Sequence, residues 1–94
     1  MKKSLLLTLV LLGTISYADT PVSYKKCSTC HGINGEKVAL GKSKIIKDMT
    51  KTEIEASLNG YKNGVGGPMK NMMIPQVKDL SENDIKEIAN YIGK

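Results

Sequence analysis

The stretch Cys27-Ser28-Thr29-Cys30-His31 contains both cysteines of the 94-residue chain and its only histidine. On a helix, positions 27, 30 and 31 are related as i, i+3 and i+4, so both thiols and the imidazole project from one face. The sequence has no other cysteine or histidine, so any site that needs thiol and imidazole groups must be built on these three side chains.

The C-x-x-C-H spacing is typical of the covalent attachment of a c-type haem. Two thiols add across the vinyl groups of the porphyrin, and the adjacent imidazole binds the iron from the same side. We therefore predict one covalent haem c. Cys27 and Cys30 form the thioethers, and His31 is the proximal axial ligand of the iron.

Other uses of the thiols agree less well with the sequence. A structural zinc site takes four protein ligands, and only three cysteine and histidine side chains exist here. A thioredoxin-like C-x-x-C belongs to a fold with strands, and no segment of this chain has a strand pattern. A disulfide between Cys27 and Cys30 would leave His31 unexplained. A thiol redox site and a soft-metal site remain as minor alternatives.

Residues 1–18 have the order of a secretory signal peptide: two lysines, an apolar run from Leu5 to Leu12, and small or polar residues ending at Ala18. The apolar run is shorter than the roughly 20 residues that a membrane-spanning helix needs. We predict cleavage after Ala18, export to the periplasm, and a single domain over residues 19–94.

The domain is small and poor in large apolar side chains, with no Trp or Phe. Because ordering each residue costs on the order of 1.5 kcal/mol, such a chain needs a further source of stability. A covalent haem would supply it by acting as the core, and the apoprotein should then be largely unfolded. The apolar side chains expected to line the haem are Leu40, Ile45, Ile54, Leu58, Ile74, Val77, Ile85 and Ile88.

The charge of the domain is modestly positive. Without Lys2 and Lys3 of the leader, 12 lysines face 9 acidic residues, a net charge of 12 − 9 = +3. All the basic residues are lysines, which argues against nucleic-acid binding because arginine supplies the commonest base and stacking contacts. The lysine excess favours encounters with an acidic protein patch or an anionic membrane face. Alternatively, the lysines serve only solubility.

Capping patterns predict the helices. Thr20 is expected to cap a first helix with Pro21 at its first position. Thr50 and Glu53 form a capping box for a second helix, with Met49 and Ile54 as a hydrophobic staple and Gly60 as its terminator.

Ser81 and Asp84 repeat the capping box before a last helix that Gly93 ends, and Leu80 packs on Ile85 as its staple. The glycines and prolines of residues 59–79 predict a long loop, and residues 32–47 predict a loop with one irregular turn. The fold class is therefore all-α, with three to four helices around one haem.

The second axial position needs a donor other than histidine. Methionine thioether is such a donor, and His/Met ligation raises the reduction potential. Met49 suits the staple of its helix, whereas Met69, Met72 and Met73 lie in the predicted loop. Spacing does not choose among these three.

The sequence resembles small class I c-type cytochromes of the bacterial cytochrome c553 kind over essentially the whole domain. The resemblance implies that the distal ligand is the second methionine of the Met-Met pair, Met73, with Met72 as the second choice. It also implies that the first and last helices cross with Tyr24 and Tyr91 at the contact. The segments that carry it are residues 24–32, Asn34-Gly35, Gly41, Asn59-Gly60-Tyr61, Gly66-Gly67, Asn71-Met72-Met73, Leu80-Ser81 and residues 89–92.

The chain departs from the family pattern at two places. Thr20 stands where a Gly or Ala is common at the helix crossing. Where many members have a proline whose carbonyl accepts a hydrogen bond from the ligand histidine, this chain offers Ile45 or Ile46. Three further residues could contact the haem propionates or the side of the haem that faces the methionine ligand: Tyr61, Lys62 and Asn71. The alternative is that they are solvated loop residues.

We predict a monomeric, periplasmic monohaem cytochrome that carries electrons and is not an enzyme. Its expected partners are membrane or periplasmic redox proteins: a quinol-oxidising complex upstream, and a terminal oxidase or cytochrome c peroxidase downstream. Two alternatives stay open. One is a Cu(I) carrier that uses the cysteines and the methionine cluster. The other is a five-coordinate haem protein that acts as a gas sensor or a peroxidase-like enzyme.

Overall fold

The computed structural model describes residues 20–94, and the predicted leader, residues 1–18, lies outside this range. Within these residues, four α-helices follow one another: α1 (Val22–His31), α2 (Lys51–Lys62), α3 (Lys70–Val77) and α4 (Glu82–Ile92). Two single 3-10 turns, Ala39–Gly41 and Ile46–Asp48, interrupt the connection between α1 and α2. Residues 20–94 contain no strand, which confirms the all-α prediction.

Helices α2 and α4 begin at the predicted capping boxes. The Glu53 N–H donates to Thr50 Oγ1 at 3.1 Å, and the Thr50 N–H donates to Glu53 Oε1 at 2.8 Å. Ser81 and Asp84 make the same pair of bonds, both at 3.0 Å. Each box satisfies two of the backbone groups that a helix start leaves unpaired.

The predicted cap of the first helix is wrong. Pro21 is the N-cap residue of α1, and no side chain caps it. The Thr20 hydroxyl lies instead 3.2 Å from the hydroxyl of Tyr91 on α4. Thr20 therefore connects the start of α1 to the last helix.

The predicted end of α2 is also wrong. The helix continues past Gly60 to Lys62, and Gly64 (φ 76°) reverses the chain. The Val65 N–H donates to the Gly60 carbonyl at 2.8 Å, and the Gly64 N–H donates to the Tyr61 carbonyl at 3.0 Å. This pair of bonds is a Schellman motif, which requires a left-handed residue that glycine adopts without steric cost.

The predicted long loop over residues 59–79 contains helix α3, so this prediction is corrected as well. Pro75 lies inside α3 and cannot donate the backbone bond of its position. The N–H groups of Met72 and Met73 both donate to the Met69 carbonyl, at 3.0 and 3.1 Å, and so close the first turn. Met72 and Met73 therefore lie on a helix, and Met69 is its N-cap.

The hydrophobic core lies where α4 packs against α1 and α2. The rings of Tyr24 and Tyr91 meet with centroids 5.3 Å apart and planes tilted by 52°, as expected for the helix crossing. Burying a side chain such as Ile85 contributes about 1.5–3 kcal/mol. The buried residues of the core are Tyr24, Ile54, Leu58, Val77, Leu80, Ile85, Ile88, Ala89 and Ile92.

The end of α4 is tied to the start of α2. Gly93 caps α4 with φ −76°, and the Lys94 N–H donates to the Met49 carbonyl at 3.0 Å. A Cβ at Gly93 would come within 2.8 Å of Lys51 Cα, so glycine is needed here for close approach. Within residues 20–94, no helix has both the length and the hydropathy of a bilayer-spanning segment.

Candidate haem site

The C-terminal half of α1 presents both thiols and the imidazole to one cavity. Cys27 is half-buried, Cys30 is exposed and His31 is buried, and both cysteines are free thiols. All three residues line a cavity of about 890 Å³. This volume falls within the roughly 300–1,000 Å³ that is usual for cofactor sites.

The cavity is enclosed by parts of the chain that are distant in sequence. Ala39 and Ile46 reach it from the two 3-10 turns, and Met49 lies just before α2. Side chains of α2, α3 and α4 complete its wall. The apolar members from these helices are Ile54, Leu58, Met72, Met73, Ile88 and Ile92.

The imidazole of His31 is held in the form that binds metals. His31 is 7% exposed, and burial lowers the pKa of its side chain, so the neutral ring is favoured. Its Nδ1 atom is buried and has no hydrogen-bond partner within residues 20–94. A buried, unpaired ring nitrogen is costly, which marks His31 as part of a site rather than of the core.

The expected acceptor for the histidine ring is not found. The carbonyls of Ile45 and Ile46 accept instead from the N–H groups of Asp48 and Met49, both at 3.1 Å. The orientation of His31 therefore depends on its backbone and on packing.

The Cys27 thiol does not have the character of a catalytic thiolate. Its pKa is raised chiefly by burial, an effect that the nearby Lys26 charge partly offsets. Redox-active cysteines instead have lowered pKa values. The structure thus disfavours the thiol redox alternative. Residues 20–94 also contain no group of three or more His, Cys, Asp or Glu side chains arranged to hold a metal.

All three candidate methionines reach the cavity. Met73 is half-buried and packs against the core, whereas Met72 is 53% exposed. Met69, at the start of α3, lines the cavity as well. The cavity alone does not select one sulfur atom, but the burial of Met73 favours it over Met72.

Half of the predicted apolar lining is correct. Leu40, Ile54, Leu58 and Ile88 line the cavity. The other four do not. Val77 and Ile85 are in the helical core, and Ile45 and Ile74 are half-buried outside the cavity. Among the lining residues that were not predicted are several apolar ones, for which apolar character was the only available signal: Ala39, Ile46, Met49 and Ile92.

The three candidates for propionate contacts separate in the structure. Tyr61 lines the cavity. The Lys62 ammonium donates to the Leu80 carbonyl and so links α2 to the start of α4. Asn71 is exposed and lies outside the cavity wall. Tyr61 alone keeps a place near the expected cofactor.

The wall of the cavity includes three exposed lysines, Lys26, Lys42 and Lys44. None of the Asp and Glu residues within residues 20–94 lines it. The exposed side chains of Leu40 (59% exposed) and Met72 lie on the same wall. The cavity therefore combines positive charge with exposed apolar surface.

Two hydroxyl groups near the site were not foreseen as contacts. Tyr24 donates to the carbonyl of Gly32 at 2.5 Å, and Tyr91 donates to the carbonyl of Ile33 at 2.9 Å. Both acceptors directly follow His31 in the chain. The family resemblance implied the ring crossing of the two tyrosines, but the sequence contained no signal for these bonds.

The residues present fit a covalently attached haem. Two free thiols and an imidazole whose Nδ1 has no hydrogen-bond partner within residues 20–94 lie on a wall of one large cavity, which methionines at the start of and within α3 also line. A thioether and an imidazole together form a donor set suited to haem iron.

Comparisons with known proteins agree with this arrangement. The family described as Cytochrome c matches residues 18–94. A protein named Cytochrome c-553 from Helicobacter pylori (strain J99 / ATCC 700824) is 43% identical over 91 residues, covering 89% of this chain and 92% of the relative. Another of that name from Desulfomicrobium norvegicum is 40% identical over 83 residues, covering 87% and 94%. A third, from Nitratidesulfovibrio vulgaris, is 37% identical over 78 residues, covering 82% and 76%.

Proposed function

The chain belongs to the cytochrome c family, and from this premise we propose that it carries single electrons in the periplasm, with His31 and Met73 as axial ligands of its haem iron. Family membership means that the chain binds haem c covalently and transfers electrons rather than acting as an enzyme. The haem iron, when bound, supplies a couple that takes up and releases one electron.

One observation carries the ligation proposal: Cys27, Cys30, His31 and Met73 line a single cavity although they come from two helices. The thiols and His31 are close in sequence, but Met73 reaches them only through the fold. Met73 is favoured over Met72 because its side chain is better shielded from solvent.

Buried apolar side chains of two helices form part of the wall of this site. Ile54, Leu58 and Ile88 are each at most 8% exposed and line the cavity from two helices. A low-dielectric wall and a thioether ligand both favour the less charged, reduced state, which raises the reduction potential. Two protein ligands also leave no iron position for a substrate, as an electron carrier requires.

The proposed partners are redox proteins with acidic docking surfaces. Lys26, Lys42 and Lys44 at the cavity would attract such a surface, and the exposed Leu40 and Met72 would supply apolar contact. We propose a quinol-oxidising complex as donor and a terminal oxidase or cytochrome c peroxidase as acceptor. Encounters of this kind are weak and brief, and they suit a monomer.

The periplasmic location rests on the leader pattern of residues 1–18. Mass spectrometry of the exported protein tests it. The expected mass is that of residues 19–94 plus one haem, and the full-length mass without haem would refute both cleavage and attachment.

Absorption spectroscopy tests the ligands. A pyridine haemochrome spectrum of the exported protein should show haem with both vinyl groups saturated by thioether bonds. The ferric protein should show the far-red band that a sulfur-to-iron charge transfer produces. This band should disappear in Met73→Ala and persist in Met72→Ala and Met69→Ala.

Other outcomes would change the proposal. Loss of the band in Met72→Ala alone would assign Met72 as the ligand. No band in the unaltered protein would refute His/Met ligation and favour a five-coordinate haem protein. A protein that binds Cu(I) but no haem would refute the electron-carrier proposal.

A further inference from the structure

We propose that the hydroxyl groups of Tyr24 and Tyr91 are positioning groups for the imidazole of His31. They act through the backbone, by holding the carbonyls of Gly32 and Ile33. This inference rests on the proposed ligation of iron by His31 and adds a role for two residues outside the ligand set.

The backbone after His31 is held at three consecutive carbonyls. The His31 carbonyl accepts from the Lys37 N–H at 2.9 Å. The next two carbonyls accept from the tyrosine hydroxyls of α1 and α4, at 2.5 and 2.9 Å. Without the two tyrosine hydroxyls, the Gly32 carbonyl would keep only the local bond from the Gly35 N–H at 3.1 Å, and the Ile33 carbonyl would keep no hydrogen bond within residues 20–94.

The histidine ring itself lacks the bond that usually fixes a metal-bound imidazole. A ligand histidine normally donates its second N–H to a carbonyl or carboxylate, and this sets the plane of the ring. Here Nδ1 has no partner among residues 20–94. The ring plane must therefore be set by the backbone at position 31 and by packing, so bonds that fix the following residues act on it through the backbone.

The two tyrosines pack against each other in a way that suits this role. Tyr24 is 0% exposed, and its ring packs on that of Tyr91. Burial raises the pKa of Tyr24 well above its usual range, so the hydroxyl keeps the proton that it donates at neutral pH. The Thr20 hydroxyl, 3.2 Å from that of Tyr91, is placed to orient the second donor.

Tyr24→Phe and Tyr91→Phe test the proposal, because each keeps its ring and removes only the hydroxyl. Two quantities are measured on the holoprotein: the reduction potential, and the pattern of hyperfine-shifted haem methyl resonances in the ferric NMR spectrum. The methyl pattern depends on the direction of the axial imidazole plane and does not depend on global stability. Ile85→Val is the control, because Ile85 is buried in the same core but does not line the cavity.

We expect both tyrosine variants to change the methyl pattern and the potential, and Ile85→Val to change neither, although denaturation shows a stability loss in all three. Unchanged methyl patterns in both tyrosine variants would overturn the proposal. Should Tyr24→Phe fail to fold, the half-buried Tyr91 still allows the test, and an unchanged pattern in Tyr91→Phe would overturn it. An unaltered ferric protein without histidine-ligated iron would refute the ligation proposal itself. Unchanged methyl patterns in variants that keep histidine-ligated iron would refute only the role of the tyrosines.

Discussion

Blocking haem attachment should unfold most of the protein. The double substitution Cys27→Ala and Cys30→Ala removes both thioether bonds. Without haem, the walls of a cavity of about 890 Å³ lose their packing partner. At ~24 cal/mol per Å³ of cavity, this costs up to about 21 kcal/mol.

This cost exceeds the stability of a typical domain. Because the cavity is open to water and can partly collapse, 21 kcal/mol is an upper bound, but half of it, about 10 kcal/mol, already equals a common total stability of about 5–15 kcal/mol. We therefore expect the haem-free variant to lose most of its helix.

Far-UV circular dichroism of the purified, haem-free double variant measures this loss against the holoprotein. Thr29→Ala is the matched control, because Thr29 lies between the cysteines and is exposed. It should retain haem and native helix content. A haem-free double variant with native ellipticity and a cooperative melting transition would refute the argument that haem supplies the missing core.

Three further predictions concern the capping box and the lysines. Thr50→Ala removes the cap of α2 and should lower the free energy of unfolding by about 1 kcal/mol in a denaturant titration, and no change would contradict the cap's contribution. The pKa of Glu53 is lowered, chiefly by the Thr50 N–H, so its contribution to stability is present above about pH 4.5 and is lost as pH falls through the lowered folded-state value. Glu53→Gln should therefore make the acid dependence of stability weaker, and an unaltered dependence would show that other carboxylates cause it. Lys42→Glu should slow electron exchange with an acidic partner several-fold at low ionic strength, whereas Lys78→Glu, outside the cavity wall, should have less effect, and equal effects would favour net charge over a docking face.

The sequence predicted those helix boundaries that depend on local interactions. The boxes at Thr50 and Ser81 involve residues three positions apart, so they form wherever the helix forms. The end of α2 was predicted wrongly because Asn59-Gly60 and Asn63-Gly64 offer the same signal. The structure uses the second pair, where Gly64 reverses the chain and Val65 bonds back to Gly60.

Helix α3 shows how tertiary structure overrides local preference. Pro75 and the glycines before it argue against a helix in this segment. Packing of α3 against α2, with Val77 only 1% exposed, offsets the missing backbone donor of Pro75. Propensity alone cannot predict this outcome, because the stabilising contacts come from another helix.

The sequence by itself determined the attachment motif, the all-α class and the starts of two helices, because each depends on side chains within one or two turns of one another. Only the tertiary structure decided which methionines reach the cavity, which apolar residues line it, and which carbonyls the tyrosine hydroxyls hold. Such contacts join residues far apart in the chain: Tyr91 and Ile33, for example, are 58 positions apart. Their partners are set by how the helices pack, and no local pattern encodes that packing.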